Sequence, residues 1–496
     1  MSAQLRSSPM HAPLPARTVA VAAGDGIGPE IMQATLDVLA AADPALSFAP
    51  VTVGLQAYRA GAMAGFGQDL LDAVAEHAVI LKGPITTPQG GGYKSVNVSL
   101  RKTFGLYANL RPCVAYHPFV ATHHPGMDVV IVRENEEDTY AGIEHRQTDE
   151  VVQCLKLITR PGCERIVRYA FEHARTHGRR KVTCMTKDNI MKLTDGLFHR
   201  VFDEVAAEYP DIAREHMIID IGTAKMAVDP KRFDVVVTPN LYGDILSDVA
   251  AEVAGSIGLA PSANIGRDCA MFEAVHGSAP DIAGQDIANP SGLLLSAVMM
   301  LVHLGRTAPA VAIHNAWLRT LEDGLHTADI FGAHSRERVG TQAFAQAVIA
   351  RLGQAPRTMP AIDYPEREPA GPAPVVDVAV PSATKTLEGV DVFLHWDEPG
   401  RDADVLGGRL APLAAPHFRL ALITNRGVKV YPRGLKQTTR TDHWRCRFVA
   451  ADGHAATPQA ICALLLRLAE AGLESVKTEN LYAFDGVAGY SQAQGE

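Results

Sequence analysis

No cysteine of the 496-residue chain lies in a C-x-x-C pair, no apolar run could cross a bilayer, and anions outnumber cations. Each shortage excludes something. The seven cysteines (Cys113, Cys154, Cys163, Cys184, Cys269, Cys446, Cys462) are odd in number and scattered. That argues against a disulfide framework or a zinc cage and points to a reducing cytoplasm. The longest apolar stretch, Gly292 to Leu304, spans about 13 residues against the ~20 a membrane helix needs, so it reads as a buried core helix. Lys+Arg of 46 against Asp+Glu of 55 gives a formal charge of −9, which argues against a dedicated nucleic-acid binder. There is no internal repeat.

What is present is the make-up of a folded chain: 47% hydrophobic and 20% charged residues, with a mean hydropathy near zero. One ordinary core does not extend over such a length, so two or three domains are expected. The first 24 residues carry Arg6 and Arg17 and no acid, as a transit peptide would. Pro9, Pro13 and Pro15 break the amphipathic helix such a peptide needs, so residues 1–17 read as a flexible arm. From Thr18 onward, short β-branched runs (19–23, 79–81, 129–132, 181–185, 234–238) alternate with helical stretches such as 165–177 and 195–208. That rhythm predicts an α/β sheet protein. Six prolines within 354–374 mark an extended linker. Beyond it, strands at 390–396, 419–424, 428–431 and 443–450 and a helix at 458–471 predict a separate α+β domain over 375–496. Asn425-Arg426-Gly427 is its hairpin turn.

Gly24-Asp25-Gly26-Ile27-Gly28-Pro29-Glu30 follows a strand and opens a helix, the setting of a dinucleotide loop. The G-x-G-x-x-G fingerprint fails, because Pro29 stands where the third glycine should be and no acid follows some 20 residues on. A tight strand-to-helix turn with proline at the first helical position is the better reading.

Arg101, Arg111 and Arg133 each end an apolar or strand-like run, among Asn, Ser and Tyr. Guanidinium forks match carboxylates, so converging arginines would suit a multiply charged organic acid; taken singly, each is an ordinary surface charge. Asp244 and Asp248 stand at i and i+4 after a buried strand and share a helical face. They form either a site for an oxygen-loving cation, with Asp220 as third ligand, or a helix N-terminus that welcomes acids. Lys187 and Tyr140 are candidates for proton transfer.

In order along the chain, GDGIGPE (24–30), LKGPITTP (81–88), KSVNVSLRK (94–102), YANLRP (107–112), VRENEEDTYAGIEH (132–145), TKDNIMKLTDGLF (186–198), NLYGDILSD (240–248) and EAVHGSAPDIAG (273–284) resemble the β-decarboxylating isocitrate/3-isopropylmalate dehydrogenase family. The likeness covers about residues 18–350. The tail segments ITNRGVKVYP (423–432) and DHWRCRF (442–448) resemble the extra C-terminal domain of long-form bacterial isocitrate dehydrogenases.

The resemblance implies a non-Rossmann α/β fold of two interleaved lobes. Residues 18–105 with 258–353 would form the large cofactor lobe, and 106–257 the small lobe with dimer contacts. It implies oxidative decarboxylation of isocitrate, with homoisocitrate or another 3-substituted malate as the alternative substrate and a non-catalytic regulatory subunit as the rival class. Arg101, Arg111 and Arg133 would clamp carboxylates, and Ser95 and Asn97 would meet the third. Asp220, Asp244 and Asp248 would hold Mg²⁺ or Mn²⁺. Lys187 with Asp220 would take the hydroxyl proton, and Tyr140 would protonate the product. In the family Lys187 and Asp220 come from the neighbouring subunit, which implies a homodimer; the tail could build a higher oligomer. Thr87, Glu273, His276, Gly277 and Asn289 would line the cofactor. NADP-using members carry Lys-Tyr where this chain has Asp281 and Ile282, so NAD is expected, with NADP as the alternative.

Overall fold

The computed structural model describes residues 17–87, 95–366, 382–435 and 437–494. The expected arm up to residue 16, residues 367–374 of the expected linker, Lys94 and Lys436 lie outside the described residues. The chain divides into two compact units.

The first unit, Met1–Tyr140 with Ile158–Lys187 and Phe198–Asp377, is built on a ten-stranded sheet. Its strands run, across the sheet, Leu46–Pro50, Arg17–Ala22, Val79–Lys82, Ala270–Ala274, Pro261–Ile265, Ala108–Val114, Asp128–Glu134, Val235–Thr238, Lys181–Thr186 and Ala213–Ile218. Four strands at each end are mutually parallel, and Pro261–Ile265 and Ala108–Val114 join the two sets by antiparallel pairing. This antiparallel centre separates the fold from a doubly wound parallel sheet, in agreement with the failed dinucleotide fingerprint. The parallel strands Val79–Lys82 and Val235–Thr238 are buried along their whole length, and each opens with a run of three apolar residues for that reason.

The apolar stretch near residue 292 is the helix Ser291–His303, with ten of its thirteen residues buried. It is covered on all sides, which is why it lacks a polar face. Among the described residues no helix is long and apolar enough to cross a membrane. Glu322, at the end of helix Thr307–Glu322, accepts the backbone N–H groups of Thr358 and Met359 at 2.7 and 2.6 Å, so the first prolines past residue 354 run along that helix.

The second unit joins Ala141–Leu157 and Asp188–Leu197 to Val378–Glu496. Its antiparallel sheet runs Val428–Tyr431, Phe418–Asn425, His443–Ala450, Lys385–His395, Glu474–Phe484 and Val487–Ala488. Helices Ala403–Ala414 and Pro458–Glu470 close a core around Trp444, Phe448, Leu406 and Leu464. The hairpin turn is Arg426-Gly427, both at positive φ (51° and 81°). Two arginines of this unit are spent inside its sheet. Arg447 is buried and forks onto Asp391 at 2.8 and 2.9 Å, and Arg445 approaches the same carboxylate at 3.8 Å.

Candidate active site

Sheet register decides which polar residues meet. Lys82 pairs with Glu273, Glu273 with Ser262, and Asn264 with Asn109, which faces Arg133 on its other side. Polar side chains from five adjacent central strands are thereby brought to one patch of an otherwise apolar sheet. Over it lies a cavity of about 190 Å³ lined by Pro84, Ile85, Ser95, Asn97, Val98, Arg101, Arg111, Arg133, Tyr140, Asp244 and the run Glu273–Gly277.

The three arginines converge there and are buried, at 7%, 5% and 1% exposure. Each guanidinium is held from behind. Arg133 donates from Nε and Nη2 to Asn240 Oδ1 at 3.0 and 2.8 Å, and Arg111 donates from Nε to Asn109 Oδ1 at 2.7 Å. Arg101 donates to Glu273 at 3.2 Å. Burial and the neighbouring guanidinium groups of Arg111 and Arg101 work against the charge on Arg133, which Asp244 supports. Its delocalised cation survives such crowding where an ammonium would give up its proton.

Asp244 and Asp248 lie one turn apart on helix Asn240–Ala254. Asp244 Oδ2 accepts the Tyr140 hydroxyl at 2.6 Å, and Oδ1 pairs with Arg133; Asp248 accepts from Arg111 at 3.3 Å. Burial alone would raise the pKa of Asp244, but Arg133 and Arg111 hold it below the usual carboxylate range. Burial, with Asp244 adding to it against the pull of Arg111, raises that of Asp248. The Tyr140 phenol is pushed up, mainly by burial, against the pull of Arg133.

Lys187 and Asp220 pair with each other at 2.7 Å, and neither lines the cavity. Lys187 holds the Asp220 carboxyl below its ordinary value. On the cofactor side, Thr87 Oγ1 reaches Ser95 Oγ at 3.5 Å. His276 is kept neutral by burial, and its Nε2 is buried without a hydrogen-bond partner, as is Asn97 Oδ1. Asp281 and Ile282 lie outside the cavity lining, and so does Asn289, whose amide is committed to Asp329 and the Ser291 N–H.

Glu273 lines the cavity with its carboxylate engaged by three side chains. Its carboxylate accepts from Lys82 at 2.6 Å, from Arg101, and from Asn264 Nδ2 at 2.8 Å. Burial opposes its charge, yet Lys82 and Arg101 hold its pKa well below the glutamate range. Lys82 is fully buried, so removing the acid strands a buried cation. The expected cost of Glu273→Gln is about 3–5 kcal/mol in urea unfolding. A loss under 1 kcal/mol would contradict the pairing. Because the folded-state pKa is depressed, this stabilisation is complete above the ordinary glutamate value of about 4.3 and erodes only as pH falls below it.

Sequence reasoning passed over Lys82, Asn264 and Asn240. The available signal was a polar residue inside or ending a run that is otherwise buried, as in Val79–Lys82. The glycine loop is a brace. Asp25 accepts N–H groups of Leu55 at 3.1 Å and Thr86 at 2.9 Å, and Gly26 (φ 59°) lies so close to Ser278 O that a Cβ would meet it at 1.9 Å.

Two family models divide the chain: isocitrate/isopropylmalate dehydrogenase over residues 18–348, and the C-terminal domain of bacterial isocitrate dehydrogenase over 385–496. The chain belongs to the isocitrate/isopropylmalate dehydrogenase family. An isocitrate dehydrogenase [NADP] from Rickettsia bellii is 51% identical over 96% of this chain and 99% of its own. One of the same name from Thermus thermophilus is 46% identical over 97% and 96%. The crystal structure of a Thermus thermophilus protein superposes with a TM-score of 0.91 at 45% identity, covering 97% and 96% of the two chains.

These relatives correct the expectation of NAD, since family members alike over nearly the full chain are named for NADP. The expectation rested on Asp281 repelling the phosphate that distinguishes NADP from NAD. In the structure Asp281 is exposed and engages Gln285 only through its backbone carbonyl. A carboxylate in water is screened and free to turn away, so its repulsion is small.

Proposed function

We propose that the chain catalyses oxidative decarboxylation of isocitrate to 2-oxoglutarate and CO₂ with NADP⁺. The observation that carries this reading is the convergence of three buried guanidinium groups on one cavity whose wall also holds Ser95, Asn97, Tyr140 and Asp244. The relatives named isocitrate dehydrogenase [NADP] support both substrate and cofactor. Charge supports a tricarboxylate. Arg101, Arg111, Arg133 and Lys82 against Glu273, Asp244 and Asp248 leave one positive charge, and a divalent cation makes it three. That balances an isocitrate trianion and leaves a surplus over a dicarboxylate.

Asp244 and Asp248 fit Mg²⁺ or Mn²⁺: the donors are all oxygen, one turn apart, with side chains 38% and 54% exposed. When bound, the ion supplies Lewis-acid polarisation of the substrate oxygens, and NADP⁺ accepts the hydride. The chain's own residues do the rest. Arg101, Arg111 and Arg133 hold carboxylates, and Ser95 and Asn97 receive the third. Lys187, oriented by Asp220, takes the hydroxyl proton, and Tyr140 gives its phenolic proton to the carbon that CO₂ leaves. Thr87, His276, Gly277, Asp281, Ile282 and Asn289 border the nucleotide.

Lys187 and Asp220 reach this site from a second copy in our reading. Ile221 and Ile245, next in the chain to Asp220 and Asp244, are 49% and 55% exposed and would be covered by it. The lobes follow as 18–105 with 258–353 around the nucleotide and 106–257 at the dimer contact, in a reducing cytoplasm that suits seven cysteines scattered without a C-x-x-C pair.

Initial rates with Mn²⁺ test the reading. Isocitrate with NADP⁺ should give the highest kcat/KM. Homoisocitrate, one methylene longer, should trail by about 10–200-fold, and isopropylmalate further. A preference for isopropylmalate or for NAD⁺ would overturn the corresponding half of the proposal.

A further inference from the structure

Tyr140 and Asp244 come from elements far apart in sequence, yet their 2.6 Å contact is fixed from both ends by one residue that neither touches the cavity nor figures in the chemistry. Helix Asn240–Ala254 begins after Pro239 with no side-chain cap of its own and no acid in its first turn. Its first N–H groups need an acceptor from outside. Asp138, 1% exposed, supplies it: Oδ2 accepts the Leu241 N–H at 2.9 Å while Oδ1 accepts the Thr139 N–H at 2.8 Å. Thr139 opens the short turn Thr139–Ala141 that carries Tyr140, and Leu241 lies one helical turn before Asp244.

The loop around Asp138 is built for this bridge. Glu134 accepts the N–H groups of Glu136 at 2.7 Å and Glu137 at 3.1 Å, and Asn240 Nδ2 donates to Glu137 O at 3.2 Å. Asp138 itself is held in the left-handed region (φ 67°), a conformation aspartate tolerates better than most residues. One carboxylate thus caps the helix of the two acids and pins the turn of the tyrosine.

We propose that Asp138 is a positioning residue: it sets the distance between the Tyr140 hydroxyl and Asp244, and with it proton delivery to the product carbon. The inference rests on the role given to Tyr140 above. Asparagine can accept at only one of the two sites and turns an N–H₂ toward the other donor, while glycine keeps the left-handed backbone and removes both acceptors.

The test compares Asp138→Asn and Asp138→Gly with Tyr140→Phe. In both Asp138 variants kcat for isocitrate should fall by about 10–100-fold, with KM changed less than about 3-fold, because Arg111 and Arg101 are held by Asn109 and Glu273, away from this loop. Deuterium exchange into C3 of 2-oxoglutarate, followed by NMR, should slow in proportion to kcat. In the enzyme without ligands, amide exchange in residues 239–244 should quicken while the central sheet stays protected. Native kcat and C3 exchange in Asp138→Gly, beside an impaired Tyr140→Phe, would overturn the inference alone. An unimpaired Tyr140→Phe would instead overturn the reading it rests on. Loss of protection throughout the sheet in both Asp138 variants would show a purely structural residue and also contradict the proposal.

Discussion

Tyr140→Phe is expected to make about one NADPH per site in a burst and then to release 2-oxoglutarate about 10²–10⁴-fold more slowly than the native chain. The substitution keeps the ring beneath the Arg133 guanidinium, 5.0 Å from its centroid, and deletes only the hydroxyl that donates to Asp244. Folding and carboxylate binding should therefore survive, and the defect falls on the step that needs the phenolic proton. Burial raises the Tyr140 pKa above the ordinary tyrosine value of about 10, so the phenol stays protonated through the neutral range and remains an acid there. The sign follows: a loss of rate between pH 8 and 9 belongs to another group, because the Tyr140 proton is held more tightly than that of an ordinary tyrosine. Rapid-quench measurement of both products decides this. Steady release of 2-oxoglutarate at the native rate would take the role away from Tyr140.

Lys187→Met should lower turnover by about 10²–10⁴-fold, and the loss should be repaired by a second, equally inactive variant. Methionine keeps most of the length of the side chain and removes the amine that meets Asp220 at 2.7 Å. If each site takes Tyr140 from one copy and Lys187 from the other, a heterodimer of Lys187→Met with Tyr140→Phe holds one intact site and one doubly damaged site. Purified through two different tags, it should show about half the native activity per dimer. Activity no higher than that of the two parents would place all the proton-transfer groups in one chain.

How much of this was legible in the sequence follows from what each signal depends on. The strands at 79–82, 181–186 and 235–238 declared themselves because these parallel strands are buried over nearly their whole length and built mainly from β-branched and apolar residues. The i, i+4 spacing of Asp244 and Asp248 was a local fact and became a shared helix face. The convergence of Arg101, Arg111 and Arg133 was visible only as a resemblance, since side chains on one helix and two antiparallel strands meet only through tertiary packing and a register that no local pattern announces. Lys82, Asn264 and Asp138 escaped for the same reason. Each is explained by a partner distant in sequence: Glu273 for Lys82, Asn109 for Asn264 and Leu241 for Asp138. The strand Glu474–Phe484 was passed over because its exposed face is polar and it lacks an apolar run. Helix Ala403–Ala414 was hidden by Pro412 near its end. Asp281 misled because charge was read without exposure, and only the fold shows that the carboxylate stands in water.

The central claim, a tricarboxylate oxidised and decarboxylated in one pocket, is met most directly by product stoichiometry. The native chain, isocitrate labelled with ¹³C in the carboxylate to be lost, NADP⁺ and Mn²⁺ should give NADPH, labelled CO₂ and 2-oxoglutarate in equal amounts from the first turnovers. NADPH without labelled CO₂, or no NADPH at all, would contradict it.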